Sequence, residues 1–222
     1  SMDNDNTPLI EHIAQKGKPV IVSCGMANFD EISQVLEAVK RTGNDQLVLL
    51  HCISDYPAKP ESLNLGMIPY LKNKFNVPIG FSDHAIGLNS AFMAISMGAS
   101  MVEKHFTTDR KLADHMPDAD HDISIEPQEL SELIAFAEDA SLMRGKAPRQ
   151  ITSGEEEGRI AFRRGLYASK AVKAGEKLSL ENTVLLRPVK GIAANQWKEV
   201  FGKSFQREIE AMEAINLSDL EP

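Results

Sequence analysis

Four times in the first 106 residues, a short and almost uninterrupted apolar run ends in hydroxyl, carboxylate or imidazole side chains. The runs are Lys18–Met26, Leu47–Ser54, Pro78–His84 and Ser100–Phe106. Runs of this length without polar alternation are expected of parallel strands buried on both faces. Between them lie segments of helical period. Phe29–Thr42 places Ile32, Val35, Leu36 and Val39 on one stripe, and Gly43 follows as a stop. Leu63–Phe75 and Ser90–Met97 read in the same way, the second closed by Gly98. This alternation of strand and helix predicts four βα units and a parallel α/β sheet. No Gly-x-Gly-x-x-Gly or Walker-type loop follows any of the strands, which argues against dinucleotide and nucleoside triphosphate binding.

Composition narrows the class. Of 222 residues, 42% are apolar and 25% charged, ordinary globular usage that excludes disordered, collagenous and coiled-coil chains. No uncharged run approaches the ~18 apolar residues of a membrane span. The polar, acidic opening Ser1–Asn6 lacks the pattern of a signal peptide. Two cysteines, Cys24 and Cys52, cannot build a disulfide framework, so a reducing cytoplasm is expected. The net charge of −8 argues against nucleic acid as a partner. That charge is uneven: residues 1–158 carry a balance of −11 and residues 159–222 a balance of +3. We therefore expect a parallel α/β unit over 1–147, which the resemblance below makes part of a (β/α) barrel, an irregular linker over 148–158 and a small β-rich domain over 159–222. In the last, Gly165–Ser169 and Thr183–Arg187 read as short strands and Asn195–Val200 as a short helix with Trp197 in the core.

The polar residues collect where a barrel enzyme needs them. Ser23, His51, Ser54, Ser82, Asp83, His84, Glu103 and His105 all fall at or just past the C-terminal ends of strands, the rim that holds barrel active sites. Among the histidines, His12 reads as surface, and His115 and His121 as solvated residues of the long Asp-rich loop Thr107–Ile123. His84 and His105 each end a strand, twenty-one residues apart with one helix between. Neighbouring strands would bring both imidazoles to one rim, either as hydrogen-bonded rim residues or as ligands of Mn²⁺, Fe²⁺ or Zn²⁺ completed by water and substrate oxygens.

Four words then carry a resemblance: Ser23–Met26, Leu50–Pro57, Gly80–His84 and Glu103–Thr107, followed by Asp118–His121. In their order and spacing they resemble the sialic acid (N-acetylneuraminate, or nonulosonate) synthase family. Beyond the linker, Ala171–Glu176, Leu186–Pro188 and Gly191-Ile192 look like that family's antifreeze-like SAF domain. The resemblance implies four βα units of an eight-stranded TIM-type barrel plus a SAF domain. It implies condensation of phosphoenolpyruvate with an N-acyl mannosamine-type sugar, with release of phosphate. By the same resemblance His84 and His105 hold a divalent metal, Mn²⁺ first, and act with Asp120 in catalysis. Ser1, Ser23, Ser54 and Ser82 match positions that bind phosphoenolpyruvate, and Tyr56 and Asp120 match positions that face the sugar. Arg187 matches a residue that reaches the sugar's amide group in a homodimer whose SAF domain is swapped onto the partner barrel.

The resemblance also marks departures. Ser54 stands where some members carry Asn. The chain aligns from the end of the family's fourth strand, and Ser1-Met2 reads equally as native or as a cloning scar. The catalytic Glu and the lysines of earlier strands then have no counterpart here, and an isolated chain of this length is expected to be inactive. Two rivals stand beside this reading: a barrel metallohydrolase using His84, His105 and Asp120, and a non-catalytic carbohydrate-binding or assembly module.

Overall fold

A computed structural model describes residues 1–222, and the chain divides into two compact units, Ser1–Gly145 and Lys146–Pro222. In the first unit helix α1 (Thr7–Ala14) precedes four strands, β1 (Val20–Ser23), β2 (Leu47–Cys52), β3 (Ile79–Asp83) and β4 (Val102–Lys104). Helices α2 (Phe29–Arg41), α3 (Met67–Phe75) and α4 (Asn89–Ser96) connect them, and α5 (Pro127–Arg144) follows β4. The strands are parallel, in the order β1-β2-β3-β4, and form the half-barrel of βα units that the alternation predicts.

Burial explains the apolar runs. Every residue of β3 is buried, and Leu49 and Leu50 of β2 are fully so. The edge strand β1 leaves Ile21 49% exposed, because no strand in this unit covers its outer side. Gly80 allows the close approach of β3 to its neighbours. A Cβ there would stand 2.4 Å from Leu50 Cδ2 and 2.8 Å from the Met101 carbonyl oxygen. Helix α2 begins at a capping box, in which Asn28 accepts from the amide of Glu31 while the Glu31 carboxylate accepts from the amide of Asn28. The helical pattern over Leu63–Phe75 starts late, at Met67. Leu63 and Leu65 are buried from a loop in which Asn64 adopts a positive φ of 43°, so their burial imitates the first turn of a helix. No helix is long and apolar enough to cross a membrane.

The second unit opens on a correction. Residues 153–158 of the expected linker lie in helix α6 (Ser153–Phe162). Its buried face is empty, which is why periodicity missed it. Its start is built from local chemistry instead. Thr152 and Glu155 form a capping box, and Glu155 and Glu156 lie in the first turn, where the helix dipole favours negative charge. Strands β5 (Gly165–Ala168) and β6 (Thr183–Leu186) pair antiparallel, and short bridges gather the remaining chain around Leu166, Val172, Leu178, Phe205, Ile209 and Ile215. Leu180 and Glu181 make a turn, held where buried Asn182 takes the amide of Ser179 on its side-chain oxygen and donates to the Lys177 carbonyl. Helix α7 (Trp197–Val200) sets Trp197 against this core and edge-on to Phe201, with ring centroids 4.7 Å apart.

The C-terminal turn of this unit depends on Asp219, whose side chain is 5% exposed. Burial alone would raise its carboxyl, but bonds from the Asn216 amide at 2.7 Å and from Arg207 Nε at 2.8 Å outweigh that and hold it below the usual carboxylate range. A depressed folded-state value stabilises above the unfolded value near pH ~4, and the contribution is lost as pH falls through the folded value. The expected outcome is that Asp219→Asn costs roughly 1–3 kcal/mol at pH 7 and removes part of the acid-labile stability below about pH 4. Denaturant unfolding of both proteins across that range, followed through Trp197, checks it.

Candidate active site

Alternation along the strands sorts the rim residues. Cys52 of β2 and Ser82 of β3 turn to one face of the sheet, His51 and Asp83 to the other. His51 is a correction to the expected rim set. It is buried on the helix side, stacked on Phe81 at 6.0 Å, with Nε2 2.7 Å from the Leu63 carbonyl oxygen, and burial lowers its basicity. Asp83 likewise faces the helices, where it accepts from Ser90 Oγ at 2.6 Å and from Lys104 Nζ at 3.0 Å.

On the inner face the predicted residues converge. Ser1 Oγ is 2.8 Å from Ser23 Oγ and 3.6 Å from Cys52 Sγ, which itself lies 3.8 Å from Ser54 Oγ and 3.9 Å from His84 Nδ1. Asn4 ties the N-terminal turn down by donating from Nδ2 to the Gly25 carbonyl at 2.9 Å. Gly25 makes the cluster possible: a Cβ there would meet Ser54 Oγ at 2.2 Å, Ser1 Oγ at 2.7 Å and Cys52 Sγ at 3.0 Å. Ser1, Ser54, Tyr56, Ser82, His84, Glu103 and His105 then line one cavity of about 480 Å³.

The two imidazoles share a wall. Their centroids are 5.3 Å apart with planes at 79°, and Tyr56 packs on both, 4.1 Å from His84 and 5.6 Å from His105. His84 Nδ1 lies 2.9 Å from the Ile53 carbonyl oxygen, an acceptor, so Nδ1 carries the proton and Nε2 is left as a free lone pair. Asp120, on the loop after β4, places Oδ2 3.7 Å from His105 Nδ1. That loop is tied down: Ser124 Oγ donates to the Asp120 carbonyl at 2.7 Å, Thr107 Oγ1 and His121 Nδ1 bond at 2.9 Å, and Arg110 Nε donates to the Ser124 carbonyl. His121 is thus a structural residue of the loop. No group of three or more His, Cys, Asp and Glu side chains encloses a metal position. The donor set fits an open metal site, with two imidazoles from the protein and the remaining positions left to water and substrate.

Cys52 escaped the expected rim set, and Glu103, which belongs to it, gains a partner. Glu103 accepts from Ser82 Oγ at 2.7 Å, and both side chains line the cavity. Cys52 stands at the centre of the hydroxyls. Burial would raise its thiol, but hydrogen bonds from His84, Ser23, Ser1 and Ser54 prevail and bring it from 9.0 to about 6. Cys24, just past the end of β1 and lacking such donors, is pushed up to about 12 by burial. His84 responds in kind: desolvation lowers it, but Cys52 and the Ile53 carbonyl more than compensate and raise it above the ordinary value. Arg187 belongs to the second unit. It is exposed just past β6, and its Nε donates to the Phe162 carbonyl at 2.5 Å.

The NeuB family model matches residues 1–149, and the SAF domain model matches residues 163–221. The chain belongs to the NeuB family. Among its relatives is the N,N'-diacetyllegionaminic acid synthase of Legionella pneumophila, 34% identical over 93% of this chain and 58% of that protein. A crystal structure from Chromobacterium violaceum, assigned to a spore coat polysaccharide biosynthesis protein E, superposes with a TM-score of 0.80 at 28% identity, over 100% of this chain and 66% of that one. The N-acetylneuraminic acid synthetase of Leptospira borgpetersenii, solved with citrate, gives 0.65 at 35% identity over 71% of this chain and 53% of that one. The chain thus spans about three fifths of the length of the curated relatives it matches.

The crowding around Gly25 makes a direct test. Gly25→Ala in this NeuB-family chain is expected to cost roughly 1–3 kcal/mol, because the new methyl must displace the Ser54 and Ser1 hydroxyls from their shared cluster. Urea unfolding measures the cost, and a crystal structure of the variant shows the displacement. An unchanged midpoint would mean that the hydroxyls move aside freely.

Proposed function

We propose that this chain is part of a nonulosonate synthase: phosphoenolpyruvate condenses with an open-chain N-acyl amino sugar, water is taken up and inorganic phosphate leaves. Because the chain spans only part of its relatives, the activity is assigned to the complete protein. The observation that supports this reading best is the division of one cavity into two walls. Ser1, with Ser23 Oγ 2.8 Å from its own hydroxyl, and Ser54 present hydroxyls on one side, and the imidazoles of His84 and His105 stand 5.3 Å apart on the other. Hydroxyl donors suit the phosphate and carboxylate oxygens of phosphoenolpyruvate, and paired imidazoles suit a divalent metal.

In this reading Ser1, Ser23, Ser54 and Ser82 bind phosphoenolpyruvate, and His84 and His105 hold the ion, Mn²⁺ first. The ion, when bound, supplies Lewis acidity toward an aldehyde oxygen. His84 keeps its proton on Nδ1 through the Ile53 carbonyl and so offers Nε2 as a ligand. Tyr56, packed on both imidazoles, and Asp120 face the sugar, and Asp120 orients one of its hydroxyls. Glu103 accepts from Ser82 Oγ, and rotation of that hydroxyl would turn its proton to an anionic oxygen of phosphoenolpyruvate. Both cysteines are free, which fits a reducing compartment.

The same reading includes a homodimer in which the SAF unit is lent to the partner's barrel, with Arg187 at the sugar. Arg suits the role because its planar guanidinium offers several fixed donors at once. The charge contrast between the acidic barrel portion and the basic small domain favours such docking.

Phosphate release that needs both phosphoenolpyruvate and a divalent ion separates this reading from a metallohydrolase. Sugar binding indifferent to metal would instead mark a binding module. In the complete protein His84→Ala is expected to lower Mn²⁺-dependent phosphate release by about a hundredfold or more. Mn²⁺ affinity unchanged by calorimetry in both His84→Ala and His105→Ala contradicts the metal assignment. Arg187→Ala is expected to raise the sugar's KM or lower kcat while leaving phosphoenolpyruvate affinity nearly intact. Mixing Arg187→Ala subunits with His84→Ala subunits is then expected to restore activity, since one shared site keeps both residues. Exchange of subunits with no such recovery rules out action in trans.

A further inference from the structure

Behind the wall that carries His84 and His105 lies the buried ion pair of Asp83 and Lys104. Asp83 and Lys104 have side chains 0% and 3% exposed, and they face the helices rather than the cavity. They are also the last paired residues of the β3–β4 ladder: Ser82 opposes Glu103 and Asp83 opposes Lys104. The histidines follow at the same offset, one residue beyond the end of the ladder. There the backbones part. The His84 carbonyl accepts from the Ala58 amide at 3.0 Å, while the His105 carbonyl accepts from Ile125 at 2.9 Å. Side chains take over the cross-link. Lys104 Nζ donates to Asp83 Oδ2 at 3.0 Å and to the Ala85 carbonyl at 2.6 Å, so the residue before His105 grips both neighbours of His84. Asp83 completes the turn by accepting from the Ala85 amide at 2.9 Å on Oδ1 and from Ser90 Oγ at 2.6 Å on Oδ2.

Stability does not account for such a pair. Desolvating two charges costs about what their attraction returns, and apolar replacements are often neutral or better, whereas fixing register is a well-attested use of buried charge. A slip or a splay of the strand ends would separate the imidazoles, and two ligands hold a metal only at a set separation. We propose that Asp83 and Lys104 are positioning residues that fix the spacing of His84 and His105 and thereby set the affinity for a divalent cation. This rests on the metal reading given above and goes further by naming what holds the ligands apart.

The test uses Mn²⁺ calorimetry on the complete protein together with the unfolding midpoint. Asp83→Asn/Lys104→Met removes both charges, keeps an acceptor for the Ala85 amide and fills the lysine's volume. It is expected to weaken Mn²⁺ binding by about tenfold or more, the usual scale for the loss of an outer-shell partner. Val35→Ala destabilises the same unit from the fully buried face of α2, away from the rim, and is expected to leave Mn²⁺ affinity unchanged. Ser90→Ala loosens the Asp83 carboxylate without stranding a charge and is expected to weaken binding by a few fold. If the double variant does not fold, Ser90→Ala decides. Native affinity in a folded double variant, or in Ser90→Ala, overturns the inference while leaving the metal reading intact. Equal weakening by Val35→Ala overturns it too, by showing a general loss of stability. Should the unsubstituted protein show no Mn²⁺ binding that His84→Ala removes, the metal reading fails and takes this inference with it.

Discussion

The parallel register of β2, β3 and β4 is the constraint on which the rest of the site depends. Pairing Cys52 with Ser82, Ser82 with Glu103 and Asp83 with Lys104 decides which side chains reach the inner face. A shift of one residue would send His51 and Asp83 into the cavity and bury Cys52 and Ser82 under the helices. The fully buried side chains of Leu49, Leu50, Ile79 and Phe81 make that shift expensive, since each would leave a core position for the opposite face. The apolar core therefore fixes the positions of the polar rim.

The rim is polar where polar groups can satisfy one another, and every buried side-chain donor and acceptor has a partner. Ser1, Ser23, Ser54, Cys52 and His84 form a contact network, and its centre is a sulfur rather than an oxygen. Donors converging on Cys52 are the physical reason its thiol behaves unlike that of Cys24, which sits nearby without such partners. Gly25 belongs to the same design: its missing side chain is the space the hydroxyls occupy.

The half-barrel's elements were legible because each obeys a local rule. Doubly buried strands read as apolar runs, α2 as a stripe with a cap, and β5 and β6 as short apolar segments between turns. Misreadings came where local and tertiary forces part. Helix α6 has a capping box and acidic first turn but no buried face, so a search for apolar periodicity passes over it. Leu63 and Leu65 bury from a loop and so lengthened the apparent helix α3. His51 carries the same rim signal as His84, and only the alternation along β2 tells them apart.

The sequence by itself determined the βα order, the strand ends that carry Ser23, Ser54, Ser82, His84 and His105, and, through its recurring words, the family. Those are properties of residue type and spacing along one chain. Packing between strands settles that Cys52 gathers the hydroxyls, that Glu103 accepts a hydrogen bond from Ser82, and that Asp83 and Lys104 meet behind the histidines. Each of these is a contact between strands, fixed by register and by the face a side chain takes. Distances between groups twenty or more residues apart follow from packing, and packing is settled only when the whole core closes.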